Sequence, residues 1–337
     1  MRAIAYQTPQ PITAETALVD IELPTPEPLG RDLLVEIKAV SVNPVDTKVR
    51  SKAAPPEGEW RVLGFDAAGI VKAVGPDVTL FKPGDAVFYA GSIDRPGTNA
   101  EFHLVDERIV GRKPASLDFA AAAALPLTAI TAWEMLFDRL KVRDGVSGAA
   151  NAILIIGGAG GVGSIAVQLA RSLTDLTVIA TASRPETAAW VKELGAHHVV
   201  DHNKPLAAEV EALGIGAPAF VFSTTNTAQH LPAIVETIAP QGRFGLIDDP
   251  ATLDVMPFKR KAVSTHWELM FTRPLFQTPD MIEQHNLLNA VSQLVDDGKI
   301  RTTLAETVGT INAENLRKAH AQIESGRTRG KLVLEGF

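Results

Sequence analysis

Gly158, Gly160 and Gly163 stand at the spacing G-x-G-x-x-G. That spacing lets a backbone turn tightly, approach a pyrophosphate and bring a helix against a strand. Ala159, Gly161 and Val162 complete the turn with small or slim side chains. A helix starting behind such a turn points free N–H groups at phosphate oxygens. Farther along, where NAD-binding units place Asp or Glu against the ribose 2′-hydroxyl, the chain reads Thr181-Ala182-Ser183-Arg184. A carboxylate there would repel a 2′-phosphate, whereas Ser183 and Arg184 can bind one, so NADPH is the expected dinucleotide. The plainer role for Arg184 is a solvated residue at a helix start.

Other reactive side chains are constrained by what the chain lacks. It has no cysteine, which excludes disulfides, thiolate nucleophiles and every Cys-based metal site. His198 and His202 have the i, i+4 spacing that binds zinc on a helix, but here they straddle an expected strand that separates them by about 13 Å. His197 and His198 are adjacent and should point to opposite faces. Ser164 follows the last fingerprint glycine without a surrounding G-x-S-x-G, so it reads as a helix-start residue. His266 and Trp267 lie in an aromatic-rich stretch with Met270 and Phe271. Such a stretch suits a substrate pocket or, equally, packing at a domain or subunit interface.

The elements needed to position these residues are legible from periodicity. Residues 153–156 are an unbroken apolar run, as in a parallel strand covered on both faces. Val162, Ile165, Ala166, Leu169, Ala170 and Leu173 recur at helical spacing. Strands are expected at 152–156, 177–180, 197–200, 219–223 and 243–247 with helices between, which is the alternation of a doubly wound parallel sheet. Ser223, Thr224, Leu246, Ile247 and Asp248 then fall at the C-terminal ends of later strands, the ligand edge of such a sheet. Ahead of this region, 1–6, 33–42, 67–74, 86–89 and 100–105 are short β-segments separated by turns such as Pro83-Gly84-Asp85, the pattern of a barrel or sandwich. Residues 51–60 read as a loop, 120–124 as a small-residue helical crossing, and 127–136 as a helix with Trp133 on its flank. Helices over 280–295 and 313–323 and a strand at 331–334 end the chain.

At 337 residues the chain exceeds the usual single core, so two domains are expected. Hydrophobic residues make up 46% and charged residues 21%, ordinary for a folded chain. With a net charge of −7 and no Lys/Arg block, neither nucleic acid nor an anionic membrane is an expected partner. No signal-peptide core or membrane-length apolar run is read, which leaves the cytoplasm as the expected location.

On Val42-Asn43-Pro44-Val45-Asp46, Gly64-Phe65-Asp66-Ala67-Ala68-Gly69, Lys82-Pro83-Gly84-Asp85, the glycines from 157 to 163 and the closing Gly330-Lys331-Leu332-Val333-Leu334, the chain resembles the medium-chain dehydrogenase/reductase superfamily over nearly its whole length. Within it, the resemblance is to the zinc-free quinone oxidoreductase and alkenal reductase branch, including bacterial proteins labelled zinc-type alcohol dehydrogenase-like. It implies an α/β architecture: a GroES-like β-barrel catalytic domain from 1–125 and 268–337, and a Rossmann NADP-binding domain over 126–267. It also implies a homodimer. Asn43 and Asp46 would lie beside the nicotinamide ribose and ring, and Thr131 near the carboxamide. Gly160, Gly161 and Val162 would meet the pyrophosphate, and His202 the adenosine phosphate, while Arg329 and Lys331 would close over the cofactor from the tail. Zinc-binding members place Cys at Asn43, His at Phe65, and Cys or Asp near Leu127, with four further cysteines after the Lys-Pro-Gly-Asp turn. None is present, so no zinc is expected.

Hydride transfer needs no protein nucleophile, because the nicotinamide carries the chemistry. Reducing an enone or quinone does put negative charge on a carbonyl oxygen, which calls for a donor and then a proton. Lys48, two residues after Asp46, and Tyr89, at a strand end, are the candidates. A surface or phosphate-binding lysine and a packed tyrosine are their plainer readings, and solvent can supply the proton. Trp60, Tyr89, Trp133, His266 and Trp267 are the expected wall of the pocket for a small-molecule substrate. The expectation is an NADPH-dependent, zinc-independent reductase of electron-poor C=C bonds or quinones. A carbonyl/alcohol oxidoreductase and an NADPH-binding redox sensor with little turnover are the rivals.

Overall fold

The computed structural model describes all 337 residues, which separate into two compact units: Met1–Ile130 with Phe271–Phe337, and Thr131–Met270. In the first, β1 (Arg2–Tyr6), β2 (Val19–Glu22), β3 (Asp32–Val42), helix α1 (Pro44–Lys52), β4 (Arg61–Val62), β5 (Ala67–Val74), β6 (Ala86–Tyr89), β7 (Phe102–Asp106) and β8 (Val110–Arg112) precede the helices α2 (Phe119–Ala123) and α3 (Pro126–Trp133). The second unit holds β9 (Ala150–Ile156), α4 (Gly161–Leu173), β10 (Thr177–Thr181), α5 (Pro185–Glu193), β11 (His198–Val200), α6 (Leu206–Glu211), β12 (Pro218–Ser223), α7 (Thr227–Thr237), β13 (Arg243–Leu246) and β14 (Ser264–Trp267). The tail returns to the first unit with α8 (Thr272–Phe276), α9 (Glu283–Asp296), β15 (Leu304–Gly309), α10 (Ala313–Glu324) and β16 (Lys331–Glu335).

The first unit is the expected β-structure. A seven-stranded sheet runs β15-β16-β3-β5-β6-β8 with β7 also on β3, and a three-stranded sheet runs β2-β1-β4. Residues 99–101 stitch the two into a partial barrel: Asn99 O accepts from Ile4 N at 2.8 Å and Glu101 O from Ile37 N at 2.9 Å. Because β16 pairs antiparallel with β3, the last strand of the chain is locked beside Ser41 and Val42. In the second unit the six parallel strands run β11-β10-β9-β12-β13-β14. The order reverses direction between β9 and β12, the switch point where a doubly wound sheet opens its ligand crevice. Leu154, Ile156, Val221, Phe244 and Leu246 are buried in its core, which explains why these strands read as continuous apolar runs.

Several expectations need correction. The domain limits lie at 130/131 and 270/271 instead of 125/126 and 267/268. Leu127 N–H donates to Asp66 Oδ1 at 2.7 Å, holding the start of α3 to the first unit, and Phe271 packs edge-on against Phe65 at 5.2 Å. Strands β14 and β15 were not expected from periodicity; His266 and Trp267 belong to the sixth strand of the parallel sheet. Ser51 and Lys52 are helical. The helix expected over 127–136 changes after Trp133 into a π-turn, Glu134–Arg139, in which Leu140 N–H reaches back five residues to Met135 O at 2.8 Å. Residues Phe119–Arg139 are, by length and composition, apolar enough to cross a membrane, contrary to the sequence reading. Within that stretch, 83% of the apolar window is buried inside the protein, as in a core helix.

Candidate functional site

In the second unit the ligand edge is built around the glycine turn. Gly157 has φ +79°, a left-handed value that favours glycine. Its N–H donates to Thr181 Oγ1 at 3.0 Å, and Gly158 N–H donates to Thr181 O at 3.2 Å. Thr224 Oγ1 donates to Ile156 O at 2.8 Å, so the ends of β9, β10 and β12 are laced together. A Cβ on Gly163 would stand 2.2 Å from Gly157 O, and one on Gly158 would stand 2.8 Å from the Ala180 Cβ. Those two glycines are therefore required for helix-to-strand packing. Gly160 differs, since its Cβ would meet only Gly157 O at 3.4 Å. The space above Gly160 is not used by the protein, and Gly160 gives α4 no side-chain cap. The first-turn N–H groups of a 13-residue helix thus face an uncovered cradle, a fit for a pyrophosphate.

Ser183 is half-buried just past the end of β10. Arg184 follows as the N-cap of α5, with its guanidinium 3.1 Å from Glu186 Oε1. His202, half-buried, has Nδ1 3.2 Å from Thr181 Oγ1. Ala159 lies in the turn, and Gly161 and Val162 are the first two residues of α4. Three side chains of the expected ligand edge are engaged otherwise. Ser223 is fully buried with its hydroxyl 2.8 Å from Thr227 Oγ1. Thr224 is tied to Ile156. Asp248 accepts from Thr227 N at 2.8 Å and from the Thr227 hydroxyl, capping α7. Leu246 is core and Ile247 half-buried; these positions can offer a ligand main chain and surface, not free side-chain hydrogen bonds. Thr131 is buried, and one turn on Glu134 lies against Glu268 and Arg139. Arg139 Nε is 2.8 Å from Glu268 Oε2. Burial and the adjacent Glu134 carboxylate push Glu268 up to about 9, because two carboxyls beside one cation cannot both ionise cheaply. Trp133 packs edge-on against Phe137 at 5.0 Å. His266 is bonded to Ser264 Oγ at 2.9 Å, and Trp267 stands 54% exposed on the edge strand.

In the first unit, the motif residues converge on a buried polar cluster. Pro44 opens α1 while Asn43, its N-cap, has its N–H accepted by Asp46 Oδ2 at 2.7 Å. Asp46 Oδ1 accepts from Gly64 N at 3.1 Å. Gly64 holds φ +109°, and a Cβ there would lie 2.5 Å from Thr98 Oγ1. Asn43 Nδ2 donates to Asp66 Oδ2 at 2.8 Å. Lys331 then arrives from β16: its Nζ donates to Val42 O at 3.0 Å and to Asn43 Oδ1, and lies 3.1 Å from Asp66 Oδ2. Burial raises Asp66 and lowers Lys331, opposed by their mutual attraction. Asp46, buried and near Asp66, is pushed up to about 7, desolvation outweighing its two backbone donors and Lys331. The expectation that Lys331 closes over a cofactor is corrected: it is 2% exposed and three acceptors surround its ammonium. Asn43 and Asp46 are likewise buried, bonded within the cluster.

Tyr89 is also reassigned. It is fully buried, stacked on His103 with ring centres 5.5 Å apart. His103 Nε2 must donate to Pro96 O at 2.9 Å, so Nδ1 accepts the Tyr89 hydroxyl proton at 3.1 Å. Burial drives the phenol well up and His103 down to about 4. Tyr89 is a barrel-core residue, neither donor nor pocket wall. Lys48, by contrast, is exposed on α1 and lines a groove of about 680 Å³ with Thr47, Ser51, Gln10, Thr13 and Glu324. Trp60 is 42% exposed and Arg329 half-buried. Asp66, Thr181, Glu134, Glu268 and His230 are structurally central residues to which no role had been given. Asp66 and Thr181 stood inside quoted stretches, next to the Phe65 and Ser183 positions that drew attention; Glu134, Glu268 and His230 have no local signal.

Comparison with known proteins places the chain in a family. The family pattern described as Alcohol dehydrogenase GroES-like domain matches residues 30–115, and that described as Zinc-binding dehydrogenase matches 194–334. A zinc-type alcohol dehydrogenase-like protein of Staphylococcus aureus is 40% identical over 99% of both chains. A quinone oxidoreductase of Pseudomonas aeruginosa is 30% identical over 91% of this chain and 92% of its own. A solved Rhizobium etli protein of the zinc-dependent alcohol dehydrogenase type has a TM-score of 0.99 and 71% identity, covering 100% of this chain and 98% of that one. With a GroES-like unit, a six-stranded parallel sheet opened at a glycine turn, and relatives matched from end to end, the chain belongs to the medium-chain dehydrogenase/reductase family of NAD(P)H-binding oxidoreductases.

Proposed function

We propose that this oxidoreductase uses NADPH, without zinc, to deliver hydride to an electron-poor C=C bond or a quinone. The observation that carries the zinc-free reading is the Asn43–Asp66–Lys331 cluster. At the positions where zinc-binding relatives carry ligands stand an amide, the Phe65 ring and the Leu127 region. The Asn43 amide is already bonded on both sides, and a buried ammonium lies beside it. Zinc sites need thiolate, imidazole or carboxylate donors around an unneutralised cavity; this donor set does not fit zinc, and no step is routed through a metal.

The dinucleotide supplies the hydride. The chain's own residues bind and orient it: the α4 N-terminus holds the pyrophosphate, and Ser183 with Arg184 favours a 2′-phosphate over a bare ribose. Lys48, exposed beside its groove in the first unit, is the side chain proposed to stabilise the negative charge that forms on the carbonyl oxygen. A homodimer fits the outer edge of β14, which ends its sheet and carries exposed Trp267 followed by exposed Leu269; light scattering would register a monomer if this is wrong.

The experiment is oxidation of NADPH and of NADH by chelator-treated protein offered an enone, a quinone and an aldehyde separately. Turnover with NADPH and the enone or quinone is expected. Conversion of the aldehyde alone to an alcohol would make the protein a carbonyl reductase, and binding of NADPH without turnover of any of the three would make it a sensor.

A further inference from the structure

His202 and His230 face one another on the side of the parallel sheet where β10 and β11 end, their ring centres 6.1 Å apart and their planes at 68°. His230 comes from α7 and is 7% exposed; His202 comes from the loop after β11 and is half-buried. The Thr181 hydroxyl accepts from Gly157 N–H at 3.0 Å and lies 3.2 Å from His202 Nδ1, where it can donate to a bare ring nitrogen or accept from a protonated one. If the ring gains a proton, the hydroxyl can turn and accept instead, and the ring keeps its place. Ser183 follows Thr181 by two residues, just past the end of β10. The imidazole pair thus adjoins the position proposed for the 2′-phosphate and is bonded, through Thr181, to the glycine turn itself.

We infer that His202 and His230 form a proton-linked reader of the cofactor's 2′-phosphate, the pair gaining one proton when NADPH binds and none when NADH binds. This rests on the NADPH reading above. Burial holds both rings below the ordinary histidine range, His202 lowers His230 further, and Asp201 and Asp248 oppose these shifts on their respective rings. Both are consequently neutral in the free protein at neutral pH. A phosphate dianion beside the rings favours imidazolium. Mutual repulsion limits the pair to a single proton. The phosphate's own second ionisation, near pH 6, has the opposite sign, because binding the dianion releases a proton. Net uptake therefore identifies the protein as the acceptor.

The test is titration calorimetry of the intact protein with NADPH and with NADH, in buffers of different ionisation enthalpy, from about pH 6.5 to about pH 8.5. NADPH should bind with net proton uptake and tighten by about tenfold toward the acid end, while NADH shows neither change. His202→Asn and His230→Asn, each verified as folded by circular dichroism, should reduce the uptake. NADPH binding tighter than NADH but without uptake in the unmodified protein overturns this inference and leaves the NADPH reading standing. Uptake unchanged in both variants overturns it too. NADPH binding no tighter than NADH removes both.

Discussion

Replacing Lys331 with methionine should destabilise the first unit strongly at neutral pH and much less in mild acid. The ammonium is enclosed by Val42 O, Asn43 Oδ1 and Asp66 Oδ2. Methionine matches much of the stem but leaves Asp66, which is wholly buried, with only the Asn43 amide and the Leu127 N–H as donors. Breaking one side of a buried pair costs about 3–5 kcal/mol. A ceiling comes from the alternative open to Asp66, which is to take up a proton. Starting from an ordinary value of 3.8, protonation at pH 7 costs about 4 kcal/mol, and at pH 5 about 1.6 kcal/mol. In the variant the folded-state pKa of Asp66 lies above its unfolded value, so stability is present at low pH and falls as pH rises. Urea denaturation at the two pH values reads this directly: a loss of about 3–4 kcal/mol at pH 7 should shrink to under about 2 at pH 5. Adding Asp66→Asn to Lys331→Met should recover part of the loss at pH 7. A loss below about 1 kcal/mol, or one independent of pH, would refute the charge-pair account.

Gly160→Ala and Gly163→Ala should separate ligand space from packing space: the first keeps the melting temperature but weakens NADPH and NADH alike, whereas the second, with its Cβ 2.2 Å from Gly157 O, lowers the melting temperature in the absence of cofactor. Arg184→Ala should weaken NADPH by about 1–3 kcal/mol and spare NADH; equal losses in fluorescence titrations would remove Arg184 from the 2′-phosphate site. Lys48→Met should lower kcat by about a hundredfold or more with little change in cofactor affinity, and unchanged turnover would take Lys48 out of the mechanism. Burial and the adjacent Glu134 carboxylate hold Glu268 well above its ordinary 4.5, so its contribution to stability is full in acid and declines as pH rises past that ordinary value. Glu268→Gln should flatten that decline in thermal melts recorded across the range.

The second unit was the more legible because its signals are local. An apolar run of four or five residues, a glycine turn and a helical stripe each declare themselves within some twenty positions, and five of the six parallel strands follow from such runs. The sixth, Ser264–Trp267, has the burial pattern of an edge, exposed or half-covered throughout, so it lacks the apolar continuity that marks its neighbours. Leu304–Gly309 was missed for the same reason, as no residue in it is buried. Residues 127–136 read as helical, but nothing in their periodicity distinguishes the π-turn that begins at Glu134 from an α-turn.

Chemistry in the first unit was harder to read because its decisive contact is long-range. Asn43, Asp46 and Lys331 were each picked out, yet as three cofactor contacts instead of one cluster. Lys331 reaches Val42 across 289 positions, and only the antiparallel pairing of β16 with β3 brings them together. Residue type pulled the reading the wrong way: a lysine in a nucleotide-binding chain suggests phosphate, and burial is what reverses the inference. An ammonium with three acceptors and 2% exposure has no hydrogen left to offer a ligand, and its charge is answered by Asp66. The same reasoning takes Tyr89 from catalysis to the core, since a fully buried phenol that donates its hydrogen bond to His103 has no surface on which to meet a substrate. Lys48 remains because it is the one candidate donor on a surface that a small molecule can reach. That makes its substitution the sharpest division between a protein-supplied donor and a proton taken from solvent.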